Sequence, residues 1–405
     1  MLEHWIWLST RPGIGPRRTA ALLQQFGSPE AVFESPAAAF SQFPADVVSA
    51  LSDHDLSSVD AIIRQCRTLK IHILTLSDAA YPSRLSSIDD PPAVLYYRGT
   101  LPDFDSAASI AMVGTRHASA YGLMQAKRLG YELGSAGLLV VSGGAAGIDT
   151  MSLEGALSAK APAVAVLGCG VDVVYPPKNA PLFRDLAALG CLVSEYPPGV
   201  PPLKEHFPAR NRIISALSLG VLVVEAPIRS GALITAQFAL DQGRDVFTLP
   251  ANLGTESCAG NIRLLKEGAL LVETGADVAQ QYAAQFPGLK PVSEAPAQIL
   301  SEDAVFPDSG QKEPDPSSAS SGSSHRKDID KKENNVYIDV SGILETLSPN
   351  EKAVVLALQE GPLHVDRLTQ CAHLSSGQVL AALTLLEVKG YITRLPAQYF
   401  SLAYQ

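Results

Sequence analysis

Six short apolar runs, separated by segments of helical pattern, constrain this chain more than any other feature. They are Ile110 to Val113, Leu138 to Val141, Ala163 to Leu167, Cys191 to Val193, Gly220 to Val224 and Asp245 to Leu249. Continuous runs of this length, rich in Val, Ile and Leu, are what strands covered on both faces require. Between them lie helical segments at Gly122 to Ala136, Thr150 to Ala159, Leu182 to Leu189, Asn211 to Leu217 and Leu233 to Gln242. That alternation predicts an α/β fold with a doubly wound parallel sheet, whose ligand crevice borders the C-terminal strand ends.

The flanks read differently. Residues 1–70 alternate short helical patterns with Pro and Gly stops, which predicts a small helical domain. Within it, Arg11-Pro12-Gly13-Ile14-Gly15-Pro16-Arg17-Arg18 has the pattern of a helix-hairpin-helix loop, whose amides and cations can contact DNA phosphates or whose turn can serve only as a helix joint. Residues 71–290 hold the α/β domain. Residues 291–340 carry 10 Asp and Glu against 5 Lys and Arg and include a Pro- and Ser-rich stretch, Glu313 to Ser324, so they read as a flexible linker. From 341 to 405, a capping box at Ser348 to Glu351, helices near Val365 to Cys371 and from Ser376 to Lys389, and an extended Tyr391 to Leu402 predict a winged-helix-like domain. Its third helix contains no Arg or Lys before Lys389, whereas groove-reading helices rely on them. With Arg394 a lone cation in the wing, this domain is expected to contact protein or the rest of the chain.

A net charge of -10 excludes coating of nucleic acid by bulk positive charge, so a polyanion site has to be local. The five cysteines form no C-x-x-C pair and have no histidine at metal-ligand spacing, which predicts buried thiols in a reducing compartment and no metal. The start lacks the basic and apolar regions of a signal peptide, and no apolar run is long enough for a bilayer, so a cytoplasmic protein without a membrane partner is expected.

Three loops follow expected strands. In Gly114-Thr115-Arg116-His117, Arg116 projects just before a helix, where it and the first-turn amides can share an anion, or where it can serve a surface salt bridge. In Ser142-Gly143-Gly144-Ala145-Ala146-Gly147-Ile148-Asp149 the glycines let backbone amides approach a phosphate, although tight strand-helix packing also needs glycine. Neither a Walker A loop nor a full G-x-G-x-x-G is present, which lowers the case for a nucleotide cofactor, and none is expected. The third loop runs from Gly168 to Asn179, with Tyr175 offering an aromatic face and Lys178 a point charge. Further on, Phe207-Pro208-Ala209-Arg210-Asn211-Arg212-Ile213-Ile214 sets two guanidinium forks beside Asn211, and Ser230-Gly231-Ala232-Leu233-Ile234-Thr235-Ala236 follows closely. At a loop or helix entrance the two arginines can converge on one anion; alternatively one pairs with a carboxylate such as Glu225 and orders the loop.

These motifs stand in the order found in the DNA-processing protein A (DprA, also called Smf) family, which the chain resembles almost continuously from 71 to 285. Tyr121-Gly122, Tyr175-Pro176, Ser194-Glu195-Tyr196-Pro197, Tyr81 to Leu85 and Pro91 to Gly99 belong to the same match. The resemblance implies an extended Rossmann-like fold that binds single-stranded DNA, dimerises, and loads RecA onto DNA during natural transformation, without enzymatic activity. It implies phosphate contacts at Arg116, Lys178, Arg210 and Arg212, within a site that also includes Gly114, Thr115, Ser142, Gly143, Gly144, Gly147, Asn211, Ser230 and Gly231. The chain departs from the pattern at Ala146 and Leu153, where the family usually has arginine and histidine, and at Leu249-Pro250-Ala251 and Gly260-Asn261-Ile262.

Two rival readings remain at this point. One is a nucleotide-hydrolysing enzyme on a Rossmann-like fold, with Glu195 or Glu225 as acid or base, although the Pro-Gly-Gly-x-Gly-Thr signature of such hydrolases is missing. The other is a DNA-binding protein of chromosomal repair or transcription, which needs the same phosphate contacts.

Overall fold

In a computed structural model, the described residues are 2–300 and 347–402, apart from 359–362, 373, 390 and 396–398. The chain divides into two compact units, Met1–Glu313 and Pro314–Gln405. Among the described residues no helix is long and apolar enough to cross a membrane.

The first unit is built on a nine-stranded sheet: β1 (His72–Thr75), β2 (Val94–Gly99), β3 (Ser109–Val113), β4 (Leu139–Ser142), β5 (Ala163–Leu167), β6 (Cys191–Ser194), β7 (Gly220–Val223), β8 (Asp245–Thr248) and β9 (Leu270–Leu271). Their spatial order is β1-β2-β6-β5-β4-β3-β7-β8-β9. From β6 to β9 every pairing is parallel, as the six apolar runs predict. The sequence reading missed the edges. β1 and β2 add antiparallel pairs beside β6, and β9 is a two-residue strand. β1 and β2 have mixed burial and β9 is two exposed residues, so none carries the continuous buried run that marks the centre.

Alternate residues of each central strand serve opposite faces, as the two-residue strand period requires. Ile110, Met112, Ala165 and Leu222 join one apolar cluster; Ala111, Val113, Val166 and Val223 join the other. Helices Ala120–Ser135, Ile148–Ser158 and Ala180–Leu189 cover the first face, and His206–Ala216 and Gly231–Asp241 the second. Each fully buried Leu or Ile contributes about 1.5–3 kcal/mol through water removed from its surface. Leu153 is one of these fully buried residues, so it packs the core and faces no ligand.

The N-terminal helices, including Leu2–Thr10 and Pro16–Phe26, pack Ile6, Trp7, Leu8 and Leu22 into the same apolar cluster as the sheet. The cations of their hairpin have partners inside the chain. Arg11 binds Asp53 at 3.0 Å and lies over the Trp7 ring, Arg18 donates to the Gly13 carbonyl at 2.5 Å, and Arg17 approaches Asp90 at 3.9 Å. At the other end, Val292 packs against the core and the Ser293 amide donates to Ser135 Oγ at 3.0 Å. The chain therefore stays attached to this unit past residue 291, where the sequence reading begins the linker. Residues 301–346, which contain the Pro- and Ser-rich stretch, lie outside the described residues.

The second unit holds helices Pro349–Ala357, Val365–Cys371 and Ser376–Val388. Beside them, Leu363–His364, Ile392–Leu395 and Tyr399–Leu402 form an antiparallel sheet with Tyr399–Leu402 in the middle. This is the winged-helix arrangement read from the sequence. Ser348 and Glu351 form the capping box, and Glu351 also accepts from Lys389 at 2.5 Å. The Lys389 ammonium and the Ser348 donors hold the Glu351 carboxyl down to about 2. The side chain of Arg394 lies outside the described residues.

A strand-end cleft at the candidate DNA-binding site

β3 sits between β4 and β7, so the chain progresses to one side of β3 through β4, β5 and β6 and then to the other through β7, β8 and β9. Where the winding direction reverses, the loops leaving the strands diverge and open a crevice. Here it is a groove of about 640 Å³ joined to a recess of about 220 Å³, and Arg116, Tyr175, Phe207 and Arg210 border both.

Arg116 is exposed at the end of β3, with its guanidinium carbon 5.1 Å from the centroid of the Phe207 ring. A cation over an aromatic face is held in place while its N–H donors stay available. Among the described residues, neither Arg116 nor Lys178 makes a salt bridge. Lys178 is exposed on the single turn Pro177–Asn179. That turn is fastened to the second loop by Asn179, whose Nδ2 donates to the Gly144 carbonyl at 3.0 Å and to Thr150 Oγ1 at 2.8 Å. Tyr175 packs against Phe207 with ring centroids 5.5 Å apart.

Helix His206–Ala216 begins five residues before the sequence reading places it, because Pro208 looks like a breaker. In the first turn of a helix, however, the missing proline N–H has no intrahelical partner to lose. Arg210 therefore lies on the same helix as Arg212. Two residues along a helix turn the side chain through about 200°, so the pair points in opposite directions and cannot meet on one anion.

Arg210 faces the cleft. It is buried, donates to the Val166 carbonyl, and leaves Nε without a protein partner. Its guanidinium packs so closely on Gly143 that a Cβ there would come within 2.2 Å of Nη1. Burial pulls Arg210 down to about 10, opposed by the field of Asp149. Burial likewise raises Asp149, opposed by Arg210 and by the Ala145 amide, which donates to it at 3.3 Å. Arg210 remains cationic at neutral pH and forms part of the cleft floor.

Arg212 faces away. It binds Glu195 through both terminal nitrogens, at 3.1 and 2.7 Å, and reaches Asp90 at 3.4 Å. Burial alone would lower its pKa, but Glu195 and Asp90 together turn the shift upward. The expected phosphate role of Arg212 is corrected accordingly: its fork is occupied by carboxylates behind the helix.

The structure brings Gly114, Thr115, Arg116, Gly143, Lys178, Arg210, Asn211, Ser230 and Gly231 to the groove or recess. Three other candidates serve its frame. Ser142 is buried and donates to the Met112 carbonyl at 2.6 Å, Gly144 backs onto Phe183, and Gly147 caps helix Ile148–Ser158. The first-turn amides of helix Ala120–Ser135, expected to share an anion with Arg116, lie beside a different negative group: Ser119 and the Glu225 carboxylate meet at that helix end. Glu225 pairs with neither Arg210 nor Arg212. Glu195 and Glu225, the candidate acids of the hydrolase reading, thus both have structural partners. Ala146 lines the recess, leaving space where the family pattern carries a longer side chain. Phe207, which heads the stretch singled out in the sequence, lines the groove as well; sequence reasoning missed Lys204 and Arg229 there.

Comparison with known proteins agrees with this fold. The sequence profile of DNA recombination-mediator protein A matches residues 72–283, and that of the DprA winged helix domain matches residues 343–398. Protein Smf of Synechocystis is 35% identical over 81% of this chain and 79% of its own length. The DNA processing protein DprA of Bacillus subtilis is 40% identical over 54% of this chain and 74% of its own. The X-ray structure of DprA from Streptococcus pneumoniae aligns with a TM-score of 0.62 at 34% identity, covering 69% of this chain and 98% of that one.

Proposed function

This chain belongs to the DNA recombination-mediator protein A family, and from that premise we propose that its strand-end cleft grips the backbone of single-stranded DNA and presents the strand to RecA during natural transformation. The observation that carries the reading is Arg116, an exposed guanidinium on an aromatic support, without a salt bridge among the described residues, at the mouth of a crevice floored by Arg210. In a chain of net charge -10, such a site gives local, salt-sensitive binding in place of non-specific coating. Tyr175 and Phe207 beside it supply faces on which unpaired bases stack, which favours single over double strands. Gripping a polymer and handing it on needs no general base, so the protein acts as a mediator without catalysis, in the cytoplasm where RecA works.

Two copies act together in this reading. Ile228, Ile234 and Leu240 are exposed along one groove of the first unit and supply apolar surface for such pairing. The winged-helix unit serves protein contact: its third helix exposes Leu380 and Leu385 and carries no basic residue.

Fluorescence anisotropy with labelled oligo(dT) and a duplex of equal length, across a salt series, tests the cleft. Tighter binding to the single strand, a negative slope of log affinity against log salt, and a loss of about tenfold in Arg116→Ala are expected. Equal binding by wild type and Arg116→Ala would remove the cleft from the mechanism. Faster RecA filament formation on a limiting single strand tests the mediator step, and light scattering the dimer.

A further inference from the structure

We propose that Glu225 is the positioning residue for Arg116: from the end of β7, one buried side chain and its own carbonyl hold both ends of the loop that carries the guanidinium. The inference rests on the reading of Arg116 as a phosphate contact.

The loop leaves β3 at Gly114 and enters helix Ala120–Ser135 after Ser119. At its start, the Thr115 amide donates to the Glu225 carbonyl at 2.7 Å. At its end, the Ser119 amide donates to the Glu225 carboxylate at 3.2 and 3.3 Å, and Ser119 Oγ donates to Oε2 at 2.7 Å. Ser119 Oγ in turn accepts from the Gly122 amide at 3.0 Å. Arg116 thus stands on a short span pinned on both sides to a neighbouring strand.

The carboxylate is deeply placed. Glu225 is 1% exposed, and Gly122 is what lets it in: a Cβ at position 122 would lie 1.9 Å from Oε2. Among the described residues it has no basic partner within salt-bridge distance. Burying an unpaired charge is costly, and a neutral acceptor would satisfy one N–H at a lower cost. The carboxylate adds two oxygens that engage both Ser119 donors, at the positive end of a helix that favours a negative group. It also occupies the helix end that a phosphate would otherwise use. The strand is left to Arg116, whose location is set by the same residue.

A double-mutant cycle on the full chain separates positioning from general stability. Oligo(dT) affinity and its salt slope are measured for wild type, Glu225→Gln, Arg116→Ala and the double variant, with thermal unfolding as a control for folding. Glu225→Gln is expected to weaken binding by about fivefold and flatten the salt slope, and the double variant to bind no more weakly than Arg116→Ala alone. Wild-type affinity in Glu225→Gln, or a loss that adds in full to that of Arg116→Ala, overturns the inference. Wild-type affinity in Arg116→Ala overturns it together with the reading of the cleft, so the two failures are distinct. If Glu225→Gln does not fold, Ser119→Ala removes one carboxylate anchor and is held to the same non-additive result.

Discussion

The two sides of helix His206–Ala216 carry the same side chain in opposite circumstances. In front, Arg210 is buried beside a carboxylate it does not contact within salt-bridge distance, while the nearby Arg116 is exposed and without an ion pair. Behind, Arg212 is clasped by Glu195 and Asp90. Cationic character alone therefore does not mark a ligand site. What separates the two sides is whether the donor fork is already spent on a carboxylate, and a two-residue spacing on a helix is enough to change the answer.

The sharpest way to break this comparison is Arg212→Ala. It removes a buried guanidinium and leaves the half-buried Glu195 without its partner, and is expected to cost about 3 kcal/mol in urea unfolding, while oligo(dT) affinity of the folded protein is retained. A large loss of affinity with little loss of stability would place Arg212 in the cleft after all. Next comes Gly143→Ala, whose Cβ collides with the Arg210 guanidinium; a destabilisation of about 1–3 kcal/mol is expected, together with weaker binding as the floor of the cleft shifts. Arg116→Ala reverses the pattern of Arg212→Ala. Its exposed side chain is expected to leave stability within about 0.5 kcal/mol while binding falls, so the two arginine variants should separate cleanly in a plot of affinity against unfolding midpoint. The smallest effect belongs to Lys178→Ala, a single point charge at the rim: a loss of a few-fold in affinity and a salt slope reduced by about 0.7. An unchanged slope would take Lys178 out of contact with the strand.

The centre of the sheet was legible because β3 to β8 are buried on both faces and leave continuous apolar runs. β1 and β2 were not, since burial varies along them, and β9 was not, since it is two exposed residues long. In the cleft, Arg116, Gly143 and Lys178 could be placed because loops at strand ends are positioned by the strands themselves. The divergence of Arg210 and Arg212 was hidden by Pro208, which disguised the first turn of their helix. Glu225 was illegible for another reason: its partner, Ser119, lies 106 residues earlier, and no local pattern announces that a carboxylate and a serine will meet at a helix end. Tertiary pairing of single polar groups leaves no periodic trace.

The position of β3 has a consequence for how the protein is made. It is hydrogen-bonded on one side to β4, close behind it in the chain, and on the other to β7, where Ile110 meets Gly220. As the chain leaves the ribosome, β3 and β4 can pair early, but the other edge of β3 stays open until β7 emerges, and non-local pairings of this kind form slowly. The Arg116 loop and the helix bearing Phe207 come from opposite sides of that delay. A nascent chain released before β7 would expose an unpaired strand edge and lack Arg229, Ser230 and Gly231 of the groove, so the proposed DNA site is completed late in synthesis.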